Sequence, residues 1–255
     1  MTRDKSAIAE RPLAGALATV SVCMATYNGQ QYLQAQIDSI LHQLGPHDEL
    51  LVSDDGSTDG TLAVLGSYGD RIRLVAQCRA GVVKNFERAL AAARGDIVVL
   101  SDQDDVWLEG KIALVRERLG NNTLLMMNGI VVDSALAPVG KDVFEFVDFR
   151  NGFFRNFVRP RYVGCCLAFR RELLDIALPF PSRISWHDWY LSLVAELLFE
   201  PAFDQTRTIL FRRHRDNASS TGQGSRNSLV VKIRMRLWMA RAVCIAVWRR
   251  TRRRV

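Results

Sequence analysis

Through the first hundred residues, short apolar runs alternate with amphipathic stretches, and turn-forming residues mark each junction. Thr19 to Ala25 reads as a β run that empties into Thr26-Tyr27-Asn28-Gly29. Leu33, Ile37, Ile40, Leu41 and Leu44 then share one face of a helix from Gln31 to Gln43, which Gly45-Pro46 ends. Leu50 to Ser53 is a second strand, followed by the polar turn Asp54-Asp55-Gly56-Ser57-Thr58-Asp59 and a helix from Thr61 to Leu65. The unit recurs as strand Ile72 to Ala76, helix Val83 to Arg94 and a buried strand Ile97 to Leu100. Such alternation predicts an α/β domain, a parallel sheet wrapped by helices. Beyond Trp107 the pattern predicts a helix to Leu119, two short strands at Leu124 to Met127 and Ile130 to Asp133, a helix from Trp189 to Phe199 and a strand from Thr208 to Phe211. Six phenylalanines between Phe144 and Phe157 are assigned to core packing.

The chain has 255 residues, 48% of them hydrophobic, enough to bury one full α/β core. The expected division is a flexible lead-in over residues 1–18, a domain over 19–225 and a basic, apolar C-terminal helix over 226–255. The formal charge of +7 resides in that last segment, which holds ten Lys or Arg and no acid, so residues 1–225 carry −3. A nucleic-acid binder spreads cations over its folded face, so no nucleic-acid partner is expected. Five cysteines, with no pair at the two-residue spacing of a zinc or redox site, suit a reducing cytoplasm. The first eighteen residues lack the continuous apolar core of a secretory signal. Lys232, Arg234, Arg236 and Arg241 interrupt the greasy stretch from Leu229 to Trp248, which argues against spanning a bilayer.

In a parallel α/β sheet, ligands sit at the carboxyl ends of the strands. Asp102, Asp104 and Asp105 crowd three carboxylates there, and their mutual repulsion calls for a cation. All-oxygen donors select Mg²⁺ or Mn²⁺, shared with substrate phosphates. The alternative use of these acids is to cap a helix beginning near Trp107. Asp54 and Asp55 end the neighbouring strand, so five carboxylates are expected on one rim, more than capping requires.

Three ordered segments, Val20-Ser21-Val22-Cys23-Met24-Ala25-Thr26-Tyr27-Asn28-Gly29, Ser53-Asp54-Asp55-Gly56-Ser57-Thr58-Asp59 and Leu100-Ser101-Asp102-Gln103-Asp104-Asp105-Val106-Trp107, resemble the inverting family 2 glycosyltransferases. The resemblance implies a GT-A fold, with a Rossmann-like, mostly parallel central sheet flanked by helices, residues 19–107 as the nucleotide-binding half and 108–225 as the acceptor half. It implies that Thr26, Tyr27 and Asp55 hold base and ribose, that Asp102-Gln103-Asp104 is the Asp-x-Asp element, that Asp104 ligates the metal and that Asp102 meets ribose or a metal-bound water. Gly81-Val82-Val83-Lys84-Asn85-Phe86 is similar to a family segment bordering the nucleotide, which brings in Lys84. Trp186-His187-Asp188-Trp189 resembles the catalytic-base element, with Asp188 taking the acceptor proton and His187 read as neighbouring scaffold, a tautomer-dependent contact with substrate being the alternative. Phe211-Arg212-Arg213-His214 places His214 as a second metal ligand, imidazole suiting Mn²⁺ better than Mg²⁺.

The same motifs resemble the bacterial rhamnosyltransferase branch, which implies dTDP-L-rhamnose as donor, with a UDP-sugar as the alternative, and a saccharide or lipid-linked saccharide as acceptor. A sugar nucleotidyltransferase is disfavoured, because Ala25-Thr26-Tyr27-Asn28-Gly29 is no Gly-rich, Arg-containing phosphate loop. A non-catalytic nucleotide-sugar or membrane-binding module is the rival of another class, against which the Asp-x-Asp element, Asp188 and His214 all speak. The run Arg249-Arg250-Thr251-Arg252-Arg253-Arg254 suits an anionic membrane surface, which predicts peripheral attachment on the cytoplasmic face. On a helical wheel, Lys232 and Arg236 lie opposite Arg234 and Arg241, so no single clean apolar face is expected.

Overall fold

The structure is a computed structural model that describes residues 17–215, 217 and 228–253. The expected lead-in over residues 1–18 therefore lies, up to residue 16, outside the described residues, as do residues 226, 227, 254 and 255 of the C-terminal segment.

Four parallel strands form one side of the sheet: β1 (Val20–Thr26), β2 (Glu49–Asp54), β3 (Arg73–Gln77) and β4 (Ile97–Asp102), in the order β3-β2-β1-β4. Helices α1 (Gln30–Leu41), α2 (Thr61–Gly66) and α3 (Val82–Ala92) make the connections. β1 and β4 are buried almost throughout, which is why both read as unbroken apolar runs rather than alternating ones. The path leaves β1 toward β3 and then returns to the other side of β1 as β4. That reversal opens a crevice at the carboxyl ends of β1 and β4.

The second half extends the same sheet. After β5 (Val106–Trp107) and α4 (Lys111–Leu119) come β6 (Leu124–Val132), β7 (Pro138–Asp142), α5 (Val143–Phe146) and α6 (Phe153–Val158). Then follow β8 (Leu167–Arg170), α7 (Glu172–Ala177), α8 (His187–Leu198), β9 (Pro201–Arg212) and α9 (Leu229–Arg252). Among the described residues the full order is β3-β2-β1-β4-β8-β6-β9-β5, with β7 on β6. β8 inserts antiparallel between β4 and β6, joining the two halves into one sheet over one continuous core.

Several expectations change. Val106–Trp107 is not a helix start but a strand paired antiparallel to β9, and α4 begins at Lys111 behind Gly110 in the left-handed region (φ 82°). The acids at 102–105 therefore cap no helix. The two strands expected at 124–127 and 130–133 are one strand with register shifts at Asn128, where Gly129 leaves room for Ile209 of β9. β9 runs from Pro201, well before the expected Thr208, because the polar stretch from Asp204 to Arg207 interrupts the apolar alternation between Phe203 and Ile209.

α9 packs on α7 and α8 through Met239, Ala242, Val243 and Ala246. Part of the arginine run expected at a membrane turns inward instead. Arg249 Nη1 donates to the carbonyls of Ile176 and Ala177 at 3.1 and 3.0 Å, Arg250 donates to that of Leu198, and Arg253 pairs with Asp175. These contacts satisfy carbonyls at the C-terminal ends of α7 and α8, where cations are favoured. Among the described residues no helix is long and apolar enough to cross a membrane.

Candidate active site

The crevice at the β1/β4 reversal is a cleft of about 380 Å³. Its walls include Thr26 and Tyr27 after β1, Asp55 after β2, Asn85 and Phe86 of α3, Asp102 to Asp104 after β4, His187 and Asp188 of α8, and Arg213 and Asn217 after β9. Residues more than a hundred positions apart thus meet where strand ends from both halves face one another.

On the β1/β2 side, the two neighbouring aspartates divide their work. Asp54 is fully buried and spent on its own turn: it accepts from the backbone N–H of Gly56 and Ser57 and from the hydroxyls of Ser57 and Thr26. Of the five carboxylates expected on the rim, this one is structural. The Thr26 hydroxyl spends its proton on that bond, so Thr26 lines the cleft as a hydrogen-bond acceptor only. Asp55 reaches the cleft and ties in the segment before α3, accepting from the N–H of Ala80 and Gly81. Lys84, expected beside the nucleotide, points away. Its Nζ, on a half-exposed side chain, pairs with the buried Glu87 at 2.5 Å, and Asn85 and Phe86 line the cleft in its place.

Gln103, the middle residue of Asp-Gln-Asp, joins β4 to the first loop. Its Oε1 accepts from the N–H of Tyr27 at 2.8 Å and its Nε2 donates to the Tyr27 carbonyl at 3.0 Å. Gly29 makes this possible, since a Cβ there would lie 2.3 Å from Gln103 Oε1. Tyr27 itself is exposed at the cleft mouth with Arg79 over its ring.

The three acids after β4 face different ways. Asp104 Oδ2 lies 2.8 Å from His214 Nε2 and 2.8 Å from Asn217 Nδ2, which brings together the two residues expected to hold a metal. Arg212 fixes this corner by donating its backbone N–H to Asp105 and its Nε to the Asp104 carbonyl. Asp102 lines the cleft, and burial together with the nearby Asp104 and Asp188 charges pushes its carboxyl up to about 7. Asp105 is buried behind them, raised well above the carboxylate range by desolvation and its acidic neighbours. Lys111 underlies the group, fully buried, with Nζ donating to the Cys165 carbonyl at 2.8 Å and lying 4.3 Å from the Trp107 ring centroid.

Two donor sets are therefore available to a cation. Ligand atoms of Asp102, Asp105 and Cys165 lie within 4.8 Å of one another, but only Asp102 of the three lines the cleft, and sulfur is a soft donor unsuited to Mg²⁺ or Mn²⁺. Asp104 lines the cleft, and His214 sets a nitrogen beside its carboxylate oxygen. The 2.8 Å between them is a hydrogen-bond length, and a bound cation would take the place of that bond, with oxygen and neutral imidazole as its donors.

α8, which also lines the cleft, begins at His187, two residues earlier than expected, so Asp188 occupies its first turn and accepts from the N–H of Trp189 at 2.7 Å. Burial lifts the Asp188 carboxyl to about 6, a far better proton acceptor near neutrality than an ordinary aspartate. Gln103, Asn217, Arg213 and Lys111 escaped the sequence reading. Only Gln103 and Arg213 sat inside a recognised motif, and nothing in the local pattern marks Lys111 or Asn217.

The family model described as Glycosyl transferase family 2 matches residues 21–176. The chain is 28% identical over 211 residues to the dTDP-rhamnosyl transferase RfbG of Shigella flexneri, covering 76% of this chain and 72% of that protein. It is 29% identical over 175 residues to WfgD of Escherichia coli, a UDP-Glc:alpha-D-GlcNAc-diphosphoundecaprenol beta-1,3-glucosyltransferase, covering 67% of this chain and 68% of that one. Among solved structures, S. aureus TarS 1-349 in complex with UDP-GlcNAc superimposes with a TM-score of 0.66 at 20% identity, covering 90% of this chain and 66% of the TarS chain. The likeness to TarS confirms the expected GT-A fold, and with more than half its length matched by the family model, this chain belongs to glycosyl transferase family 2.

Proposed function

We propose that the protein transfers a sugar from a nucleotide diphosphate to a saccharide hydroxyl with inversion, and that the sugar is L-rhamnose from dTDP-L-rhamnose. The observation that carries the reading is the placement of Asp188 in one cleft with Asp102 and Asp104. Tyr27 and Asp55 border the base and ribose, and Asp102 and Arg213 stand near the phosphates. Asp188 takes the proton of the acceptor hydroxyl, which attacks the anomeric carbon from the side opposite the departing diphosphate. Asp104 and His214 would hold Mg²⁺ or Mn²⁺, which when bound neutralises charge on the leaving nucleotide. The motifs and the RfbG relative favour rhamnose; WfgD and the UDP-GlcNAc complex of TarS support a UDP-sugar as the alternative. The test is nucleotide diphosphate release from dTDP-rhamnose, UDP-glucose and UDP-GlcNAc, with and without a panel of octyl glycosides as acceptors. Release from dTDP-rhamnose alone supports the reading, preference for a UDP-sugar shifts the donor, and release from none makes the protein a binding module.

The acceptor we infer is lipid-linked, and α9 supports this. At 100° per residue its buried face, centred on Met239, Ala242, Val243 and Ala246, is opposed by an exposed apolar stripe of Leu229, Ile233, Leu237, Cys244 and Trp248. Two opposed apolar faces explain why the wheel shows no single one. Arg234 and Arg241 flank the outer stripe, no acid lies on the helix, and the exposed Phe154 and Val158 of α6 continue it, Arg236 donating to the Val158 carbonyl. Apolar residues edged by cations suit an anionic bilayer. Ile233→Glu with Leu237→Glu should abolish binding to phosphatidylglycerol vesicles while leaving nucleotide release intact; retained binding would move the contact elsewhere.

A further inference from the structure

His187 sits in the cleft wall with its ring stacked on Phe86, the centroids 3.8 Å apart and the planes 22° from parallel. The residue is only 5% exposed, yet among the described residues neither ring nitrogen has a hydrogen-bond partner. Leaving buried polar atoms unpaired is costly, so a folded protein seldom does it away from a ligand site. Burial holds the imidazole neutral, near 3, so the ring offers one donor and one acceptor. The Phe86 stack fixes the plane in which they point.

Gly164 shows where. A Cβ built on it would lie 3.4 Å from His187 Nε2 and 3.7 Å from Asp188 Oδ2. The absence of a side chain at 164 thus keeps open one small space that the imidazole nitrogen and the proposed base both border. A hydroxyl oxygen is the right size to enter it, and a neutral imidazole matches a hydroxyl, which both donates and accepts.

We propose that His187 is a saccharide-binding residue, its Nε2 hydrogen-bonding a sugar hydroxyl in the space that Gly164 leaves open beside Asp188. This rests on the transferase reading above. The hydroxyl belongs either to the transferred sugar or to the acceptor, and the chemistry of the contact is the same.

The test compares wild type with His187→Phe, which keeps the stack on Phe86 and removes both nitrogens, and with His187→Gln, which restores a polar group at similar reach. Calorimetry measures affinity for dTDP and for the nucleotide sugar that the donor screen identifies, and kinetics give KM for the acceptor glycoside found there. If the hydroxyl is the donor's, His187→Phe binds the nucleotide sugar about tenfold more weakly while dTDP affinity is retained. If it is the acceptor's, nucleotide-sugar affinity is retained and acceptor KM rises about tenfold, the usual worth of one neutral hydrogen bond. His187→Gln recovers part of the loss in either case. The proposal is overturned if His187→Phe folds and changes neither quantity, or if it weakens dTDP and nucleotide sugar equally, which marks a structural role. Silence in the donor screen would sink the transferase reading instead, a result separate from both.

Discussion

Replacing Asp188 by Asn tests its role through activity and stability at once. Burial raises its carboxyl from 3.8 to about 6, roughly two units at about 1.4 kcal/mol each, so holding the charged form in the fold costs about 3 kcal/mol above pH 6. The sign follows from proton uptake: between pH 4 and 6 the folded state binds more protons than the unfolded one, so stability falls as pH rises through that window. Asn keeps an oxygen to accept from the N–H of Trp189 and carries no charge. In urea titrations Asp188→Asn should match wild type at pH 4 and exceed it by up to about 3 kcal/mol at pH 7.5. Activity should move the other way. With saturating donor, wild-type kcat/KM for the acceptor should fall below about pH 6, and the Asn variant should lose that limb and turn over roughly 10² to 10⁴ times more slowly. Equal stability at both pH values, or a wild-type profile flat from pH 5 to 8, would refute the reasoning.

Asp104→Ala should abolish divalent-dependent turnover, and full activity in excess EDTA would contradict the proposed Asp104–His214 site. Gln103→Ala removes both hydrogen bonds to Tyr27, so donor KM should rise about tenfold with the melting temperature little changed; an unaltered KM would separate that staple from donor binding. Gly95→Ala would place a Cβ 2.6 to 2.8 Å from the backbone of Ser21 and Val20, and a loss of about 1 to 3 kcal/mol in urea unfolding is expected. Deleting Leu229 to Val255 would expose the partners of Met239, Ala242, Val243 and Ala246 on α7 and α8, so the truncated chain should unfold at lower urea concentration, whereas charge substitutions on the outer stripe should not change its midpoint.

Local periodicity was enough to mark β1, β2 and β4 and the helices between them, because strands buried on both faces must be apolar end to end and the loops after them must turn. The same local chemistry placed the acids after β4 and Asp188 at a helix start. Which of those side chains reaches the cleft was decided by partners distant in sequence. Asp54 and Asp55 look alike in the chain, but successive side chains at a strand end point to opposite faces, and the N–H groups of Gly56 and Ser57 claim one while those of Ala80 and Gly81 orient the other. Lys84 loses its expected place because Glu87, one helical turn on, holds it outside. β8 inserts between β4 and β6, pairing Val99 with Ala168 and Leu124 with Phe169, separations at which short-range pattern holds no information. The arginines near the C-terminus read as a charge run, yet open carbonyls at the ends of α7 and α8 draw Arg249 and Arg250 inward, while Arg253 stays exposed beside Asp175. His187 reads as scaffold beside its aspartate; its orphaned nitrogens become visible only once Phe86 and Gly164 are in place around it, because a missing hydrogen bond is a property of the packed neighbourhood.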